Sequence, residues 1–471
     1  MLIKLKIDPD LKTYNKRIMW GILIPLLFVL FNFSYTFGNE YGWKAGVAKE
    51  IITPEEPMWM AGYSARDHTS ENIMHDLWVK ALALEDASGN KSLIITADLL
   101  GWPKTMADRI RDRLDEKFQL SRAQIILSSS HTHSGPVLQN ALYDIYPLDP
   151  QQLDKINKYS LELEDKIIDL VGKAFQFMQP VRIFANNGVT RFQVNRRNNI
   201  ESTIDTQTEL KGPNDYAVPV IKVENEKGEI VAILFGYACH PTVLDQYSWS
   251  GDYPGFAQLE LEKSHPGTTA LFFQGAGGDQ NPLPRRTKAL AEQYGKDLAA
   301  AVERVLEEPM RELASVLTTA YSEIDLPLNS PPAEEELTKA LNESTSYIKQ
   351  WGSRNLEMLK RGDSFISSYR YPLQVWKLGD QSFMALGGEL VIEYAIELKR
   401  IFGKEIFVMG YANDVMAYIP SETILEEGGY EGNLSQMVYG LPGKWKPGIQ
   451  ALILDEMVKL ASNLDIVHSD K

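Results

Sequence analysis

Beyond residue 40 the chain alternates short apolar runs with longer amphipathic stretches. "VKALALEDASGNKSLIITAD" places two apolar runs around Gly89-Asn90 and predicts a β-hairpin. "VPVIKVENEKGEIVAILFGYA" predicts a second, turning at Glu226-Lys227-Gly228, and "LQVWKLGDQSFMALGGEL" a third. Residues 103–118, 286–308 and 390–402 carry helical spacing, 151–178 a long amphipathic helix and 446–462 a last one. "AQIIL" and "TTALFFQGAGGDQ" read as buried strands, and "EIFVMGYANDVMAYIP" as a strand leading into a loop. Residues 330–368 are polar and helix-prone and are expected at the surface. No repeat or low-complexity linker interrupts the alternation. It predicts an α/β fold, a single large mixed-sheet domain over residues 41–471.

The first 40 residues follow a different pattern. Lysines precede an uncharged stretch at 18–38 whose densest apolar part is 19–31, with Pro25 inside it. That predicts a signal peptide or N-terminal membrane anchor over residues 1–40, with the bulk of the chain exported: periplasmic, secreted or membrane-anchored outside the cytoplasm. Composition adds little about the fold but excludes some functions. A net charge of -15 with no basic cluster after the N-terminus argues against nucleic acid as a partner. The single cysteine, Cys239, excludes an internal disulfide.

The candidate chemistry lies where apolar runs stop. "AQIILSSSHTHSGPV" ends in His131 and His133, two of only seven histidines. "ACHPT" holds His240, "GGEL" holds Glu389, and "YANDVMAY" holds Asn413, Asp414 and Tyr418. Strand ends at one sheet edge are where α/β proteins build sites. Residues two apart on an extended chain share a side, so His131 and His133 are expected to face one cavity. Two neutral imidazoles so close suit a divalent metal, completed by a third histidine and a carboxylate. Each residue alone also has an ordinary reading. The histidines can bond the preceding serines, Glu389 can cap a helix, Tyr418 can be a buried aromatic, and Asp252 in "SGDYPGF" can be a turn aspartate. The set is what favours a metal.

At this point the motifs resemble one family, the neutral, non-lysosomal ceramidases. "SSSHTHSGP" resembles the family's HTHSGP signature, and "AGVAKEIITP", "MWMAGYS", "IMHDLWVKALALED", "VNRRN", "CHPT…SGDYPGFA", "GGEL" and "YANDVMAYIPSETILEEGGYEG" follow in the family's order. The resemblance covers roughly residues 42–462. It implies a ceramidase-like catalytic domain and a zinc amidase acting on the N-acyl bond of a lipid. It implies zinc ligands at His131, His240, Glu389 and Tyr418. It also implies catalytic roles for His133, beside the reacting centre, and for Arg196. In the hydrolysis this suggests, Tyr418, His133 or Arg196 would donate to the oxyanion, making Tyr418 a catalytic candidate as well as a ligand, and Asp279 would support a ligand.

Two departures follow from the same comparison. "GGDQNP" puts Asn281 where the family carries a serine, and an amide cannot be a nucleophile. The family's C-terminal β-sandwich domain is not matched. The expectation is therefore an exported, zinc-dependent hydrolase of an N-acyl amide, ceramide or a related substrate, using a metal-activated water. Asn281 would orient substrate or donate to the oxyanion. The N-terminal segment allows membrane association. The rival readings are a zinc esterase or lactonase on the same scaffold, or a non-catalytic lipid- or glycan-binding descendant. The polar stretch at 65–76 is expected to add charge to the pocket entrance.

Overall fold

The computed structural model describes residues 42–343 and 345–467. The expected signal or anchor segment at 1–40 lies outside the described residues. Among the described residues no helix is long and apolar enough to cross a membrane.

The elements build one topological unit three times. The first comprises β1 (Trp43–Ile51), β2 (Trp78–Glu85), β3 (Lys91–Ala97), helix α1 (Lys104–Phe118) and β4 (Ile125–Ser129). Helix α2 (Pro150–Gln176) leads to the second: β5 (Gln179–Val189), β6 (Ala217–Asn225), β7 (Ile230–Tyr237), α3 (Asp252–Ser264) and β8 (Thr269–Gln274). Helix α4 (Lys288–Glu307) leads to the third, which starts with β9 (Leu317–Pro327). After α5 (Ser346–Arg361) it continues through β10 (Ser368–Leu378), β11 (Gln381–Leu386), α6 (Ile392–Phe402) and β12 (Phe407–Met409). Helix α7 (Ile449–Ser462) follows. In each unit the first three strands are antiparallel, and the last lies parallel to the third after a helical crossover. The topology thus repeats although the sequence does not.

The first sheet runs β8-β7-β6-β5-β1-β2-β3-β4 and the second β9-β10-β11-β12. The inner faces pack on each other, with Ile94, Ile126, Leu234 and Leu271 from the first sheet sharing a core with Trp376, Phe383 and Phe407 from the second. The outer faces carry helices. Ile95 and Leu127 pack with α1 and α2, Phe235 and Phe272 with α3 and α4, and Met384 and Leu386 with α6 and α7. Strands covered on both faces read as continuous apolar runs, which is why "IIL", "ALFF" and "FMAL" show no alternation.

Helix starts follow local chemistry. Asp149 caps α2 by accepting from Gln152 N, with Pro150 as the first helical residue, and Thr287 caps α4 through Leu290 N. Helix α3 is not visible in the sequence reading, because "DYPG" looks like a turn. Pro254 is tolerated there because the first helical turn has no intrahelical acceptor for its missing N–H. Asp252 is correspondingly a buried first residue of a helix, not a surface turn residue.

Candidate metal centre

Within each parallel pair, two strand ends point the same way, and backbone bonds gather the three pairs. The chain leaving β12 runs between β8 and β4: Gly410 N donates to Gln274 O at 3.0 Å, and Asn413 N to Leu127 O at 2.6 Å. Asn413 also accepts from Leu127 N and donates to Gln374, so it works as an extra rung of the sheet. Glu389 and Tyr418 are direct partners in a short parallel pairing. Gly278 must pass beside them, since a Cβ there would lie 2.8 Å from Glu389 O. The glycines of "GAGGDQ" serve this close approach.

His131 and His133 do face one place, but not through an extended chain. His131 has φ 63, and this left-handed residue turns the loop. The loop is pinned by His131 N on Leu99 O at 2.9 Å and Thr132 Oγ1 on Ser250 O at 2.7 Å. The serines before it do not bond the histidines: the hydroxyls of Ser128, Ser129 and Ser130 have no partner.

The imidazoles meet around Glu389. Its Oε2 lies 3.2 Å from His131 Nε2 and 3.0 Å from His240 Nε2, and its Oε1 accepts from Tyr439 Oη at 2.5 Å. His131 Nδ1 lies 2.5 Å from Leu100 O, and His240 Nδ1 2.6 Å from Gly277 O. A carbonyl only accepts, so both Nδ1 atoms carry a proton, and each ring turns its Nε2 towards a carboxylate oxygen. Two imidazole Nε2 atoms and a carboxylate oxygen thus converge in a buried place, an arrangement that a cation between them would satisfy. Burial, partly offset by Glu389, lowers His240 to about 4, which disfavours an imidazolium as that cation. The donor set, with each histidine's second nitrogen on a carbonyl, fits a divalent metal.

His133 differs from the other two. Its Nε2 lies 3.2 Å from His131 Nε2, and the ligand nitrogens of His131, His133 and His240 all lie within 4.8 Å of one another. Its Nδ1 has no partner, so it lacks the orienting bond of a held ligand. Burial, then His131 and His240, push it well below the imidazole range, leaving it neutral.

Tyr418 Oη lies 3.3 Å from His240 Nε2 and accepts from Arg196 Nη2 at 3.2 Å. Burial works against the Arg196 charge, but Tyr418 and Glu431 raise its pKa well above the ordinary value. Arg196 Nε donates to Glu431 at 2.7 Å, and Nη1 to Asn281 Oδ1 at 3.4 Å. Asn281 therefore touches the centre through Arg196. Asp279 touches no ligand side chain. It accepts from Asn195 at 2.8 Å and from Ile392 N at 2.9 Å, fixing the start of the helix that follows Glu389. Glu389 is not a helix cap, because both its oxygens are used at the centre.

The sequence reading missed Tyr439, Glu431, Tyr430, which stacks edge-on to Tyr418 at 5.4 Å, and Tyr63, 4.8 Å from the His133 ring. Glu431 and Tyr430 sit in the quoted "YEG" block, and Tyr63 in "MAGYS". Nothing in "SQMVYG" marks Tyr439. Beside the centre lies a cavity of about 230 Å³, walled largely by apolar residues including Leu100, Val137, Leu138 and Met416, and touching Tyr439.

Comparison with known proteins bears on the family and the fold. A family profile described as "Neutral/alkaline non-lysosomal ceramidase, N-terminal" matches residues 43–289. Neutral ceramidase A of Dictyostelium discoideum is 26% identical over 258 residues, which is 50% of this chain and 35% of the relative. Neutral ceramidase B of the same organism is 26% identical over 247 residues, 48% of this chain and 33% of the relative. The aligned region thus spans about a third of these curated relatives. The crystal structure of neutral ceramidase from Pseudomonas aeruginosa superposes with a TM-score of 0.70 at 19% identity, covering 92% of this chain and 76% of that one. A ceramidase complexed with C2 gives a TM-score of 0.70 at 17% identity, covering 92% and 77%. These likenesses establish the fold over more of the chain than the profile match. The chain belongs to the neutral/alkaline non-lysosomal ceramidase family.

Proposed function

We propose that the protein is an exported, zinc-dependent amidohydrolase that cleaves the N-acyl bond of ceramide or a related N-acyl lipid. The observation that carries this reading is the convergence of His131 Nε2, His240 Nε2 and Glu389 Oε2, with both Nδ1 atoms tied to carbonyls. These three residues and Tyr418 would hold the metal. Zinc in such a cage supplies water with a pKa brought towards neutrality and polarises a carbonyl.

The remaining residues then have defined tasks. His133 is neutral, half-buried and adjacent, so its Nε2 can take a proton from the attacking water and return it to the departing amine. Arg196, fixed by Glu431, holds the Tyr418 hydroxyl and brings a permanent positive charge to where the carbonyl oxygen becomes negative. Asn281 accepts from Arg196 and orients it, a task that an amide performs without nucleophilicity. The apolar cavity beside Leu100 suits the acyl chain.

The test is metal analysis of the purified protein together with hydrolysis of ceramide and shorter N-acyl amides, with and without a chelator. One zinc per chain and chelator-sensitive release of free amine are expected. A metal-free protein that hydrolyses these amides at full rate would refute the reading.

A further inference from the structure

One buried cation near the centre has no carboxylate partner. The Nη1 and Nη2 of Arg66 donate to the carbonyls of Ala61 at 2.6 Å and Gln246 at 3.2 Å, and its Nε has no acceptor. Its Cζ lies 4.9 Å from the Tyr63 ring centroid and 5.8 Å from that of Tyr247. Among the described residues no carboxylate forms an ion pair with it. Buried charges are ordinarily paired. Carbonyl dipoles and ring faces steady this guanidinium, and Asp245 acts on it only from a distance, without an ion pair.

A second guanidinium stands over the same ring. Arg286 Cζ lies 5.2 Å from the Tyr63 centroid, and its Nη1 donates to Tyr63 Oη at 3.0 Å. Its Nε is only loosely paired with Asp245, at 3.5 Å across a partly exposed gap. The neighbouring Arg285, by contrast, is committed to both oxygens of Glu201 at 2.7 and 2.6 Å. Arg286 has φ 88, a left-handed conformation that long side chains seldom adopt, and its N–H is anchored on Val243 O at 2.7 Å. Such strain is typically retained where position matters more than local stability. The Tyr63 ring is the immediate neighbour of His133. Two residues earlier, Ala61 lines the apolar cavity. Segment 61–63 therefore lies between a largely apolar cavity, whose lining also includes Lys104 and Asp414, and a pair of guanidinium groups with Asp245 beside Arg286, in a protein of net charge -15.

We infer that the substrate is an anionic amphiphile. Its acyl chain occupies the cavity beside Leu100, and a carboxylate, sulfonate or phosphate on the amine side of the amide is bound by Arg286 over Tyr63, with the Arg66 charge behind. This inference rests on the amide-hydrolase reading, and binding and turnover are therefore measured separately.

Three probes of matched chain length serve: N-dodecanoyltaurine, N-dodecanoylglycine and the neutral N-dodecanoylethanolamine. Calorimetric titration of the zinc-loaded full chain at low salt is expected to give about tenfold tighter binding of the two anions. The difference should shrink as salt rises, vanish in Arg286→Gln and survive in Arg286→Lys. Taurine binding alone would identify a sulfonate site, and glycine binding alone a carboxylate site. Equal affinity for all three probes overturns the inference. So does anion selectivity that Arg286→Gln leaves intact and metal removal abolishes, because the anion would then sit on the metal. Release of amine from none of the probes, nor from ceramide, would refute the hydrolase reading while leaving the binding result to stand by itself.

Discussion

Replacing Tyr439 by phenylalanine removes one hydroxyl and leaves the ring. That hydroxyl donates to Glu389 Oε1 at 2.5 Å, and burial and the Glu389 charge keep it protonated, well above the usual tyrosine range. The bond ties down one carboxylate oxygen so that the other faces His131 and His240. A hydrogen bond to a charged acceptor contributes about 1.5–3 kcal/mol. If that bond is felt mainly in the metal-binding geometry, its loss corresponds to about 10- to 150-fold in affinity. Removing an outer partner of a ligand commonly costs about 10- to 100-fold in metal affinity, which overlaps most of that range. The assay is competition for zinc between the protein and a chelator of known affinity at neutral pH, with circular dichroism to verify the fold. Tyr439→Phe should bind zinc about 10- to 100-fold more weakly and keep its secondary structure. Affinity within about twofold of wild type would refute the argument that Tyr439 positions Glu389.

Three further outcomes follow from the same geometry. Gly62→Ala places a Cβ 2.5 Å from the His133 ring at a residue with φ 104, so the ring must move. Amide hydrolysis should fall by about a hundredfold with zinc content unchanged, as steady-state kinetics and metal analysis would report. Arg196→Lys cannot reproduce the fork that reaches Glu431, Tyr418 and Asn281, and kcat should drop by about 10²–10³ without loss of fold. Asp414 is raised by burial from 3.8 to about 7, so the folded state holds the extra proton between those values. Wild-type stability should fall as pH rises through that window, by up to roughly 4 kcal/mol. Asp414→Asn, still able to accept from Tyr369, should flatten the dependence in denaturant melts: no gain at acid pH and a gain above neutrality.

Much of the local structure was legible from pattern alone. The hairpin around Gly89-Asn90 and the turn at Glu226-Lys227-Gly228 follow from apolar runs interrupted by residues that tolerate tight turns. The buried strands at 125–129 and 269–274 were readable because burial on both faces leaves no polar position to alternate. Helix α3 was hidden, since Pro254 and Gly255 imitate a turn and only packing against α4 reveals a helix. The polar strand ends were legible for a related reason: His131, His240 and Glu389 each end an apolar run, and although each has an ordinary reading alone, the set pointed to a metal and the family resemblance named the ligands.

What only the tertiary structure decided is how these residues meet. Two-residue spacing suggested that His131 and His133 share a side, yet a left-handed His131 and the Thr132–Ser250 bond set their direction. The pairing of Glu389 with Tyr418 across 29 residues of sequence, and the approach of Tyr439 to Glu389, depend on strand ends that the sheets bring to one edge. Asn281 looked like the loss of a catalytic group until its contact with Arg196 appeared. Sequence periodicity records which face of an element avoids water. It carries no record of which distant element fills that face, because burial is rewarded by area whatever the partner, and only the completed packing fixes where a lone pair or a guanidinium points.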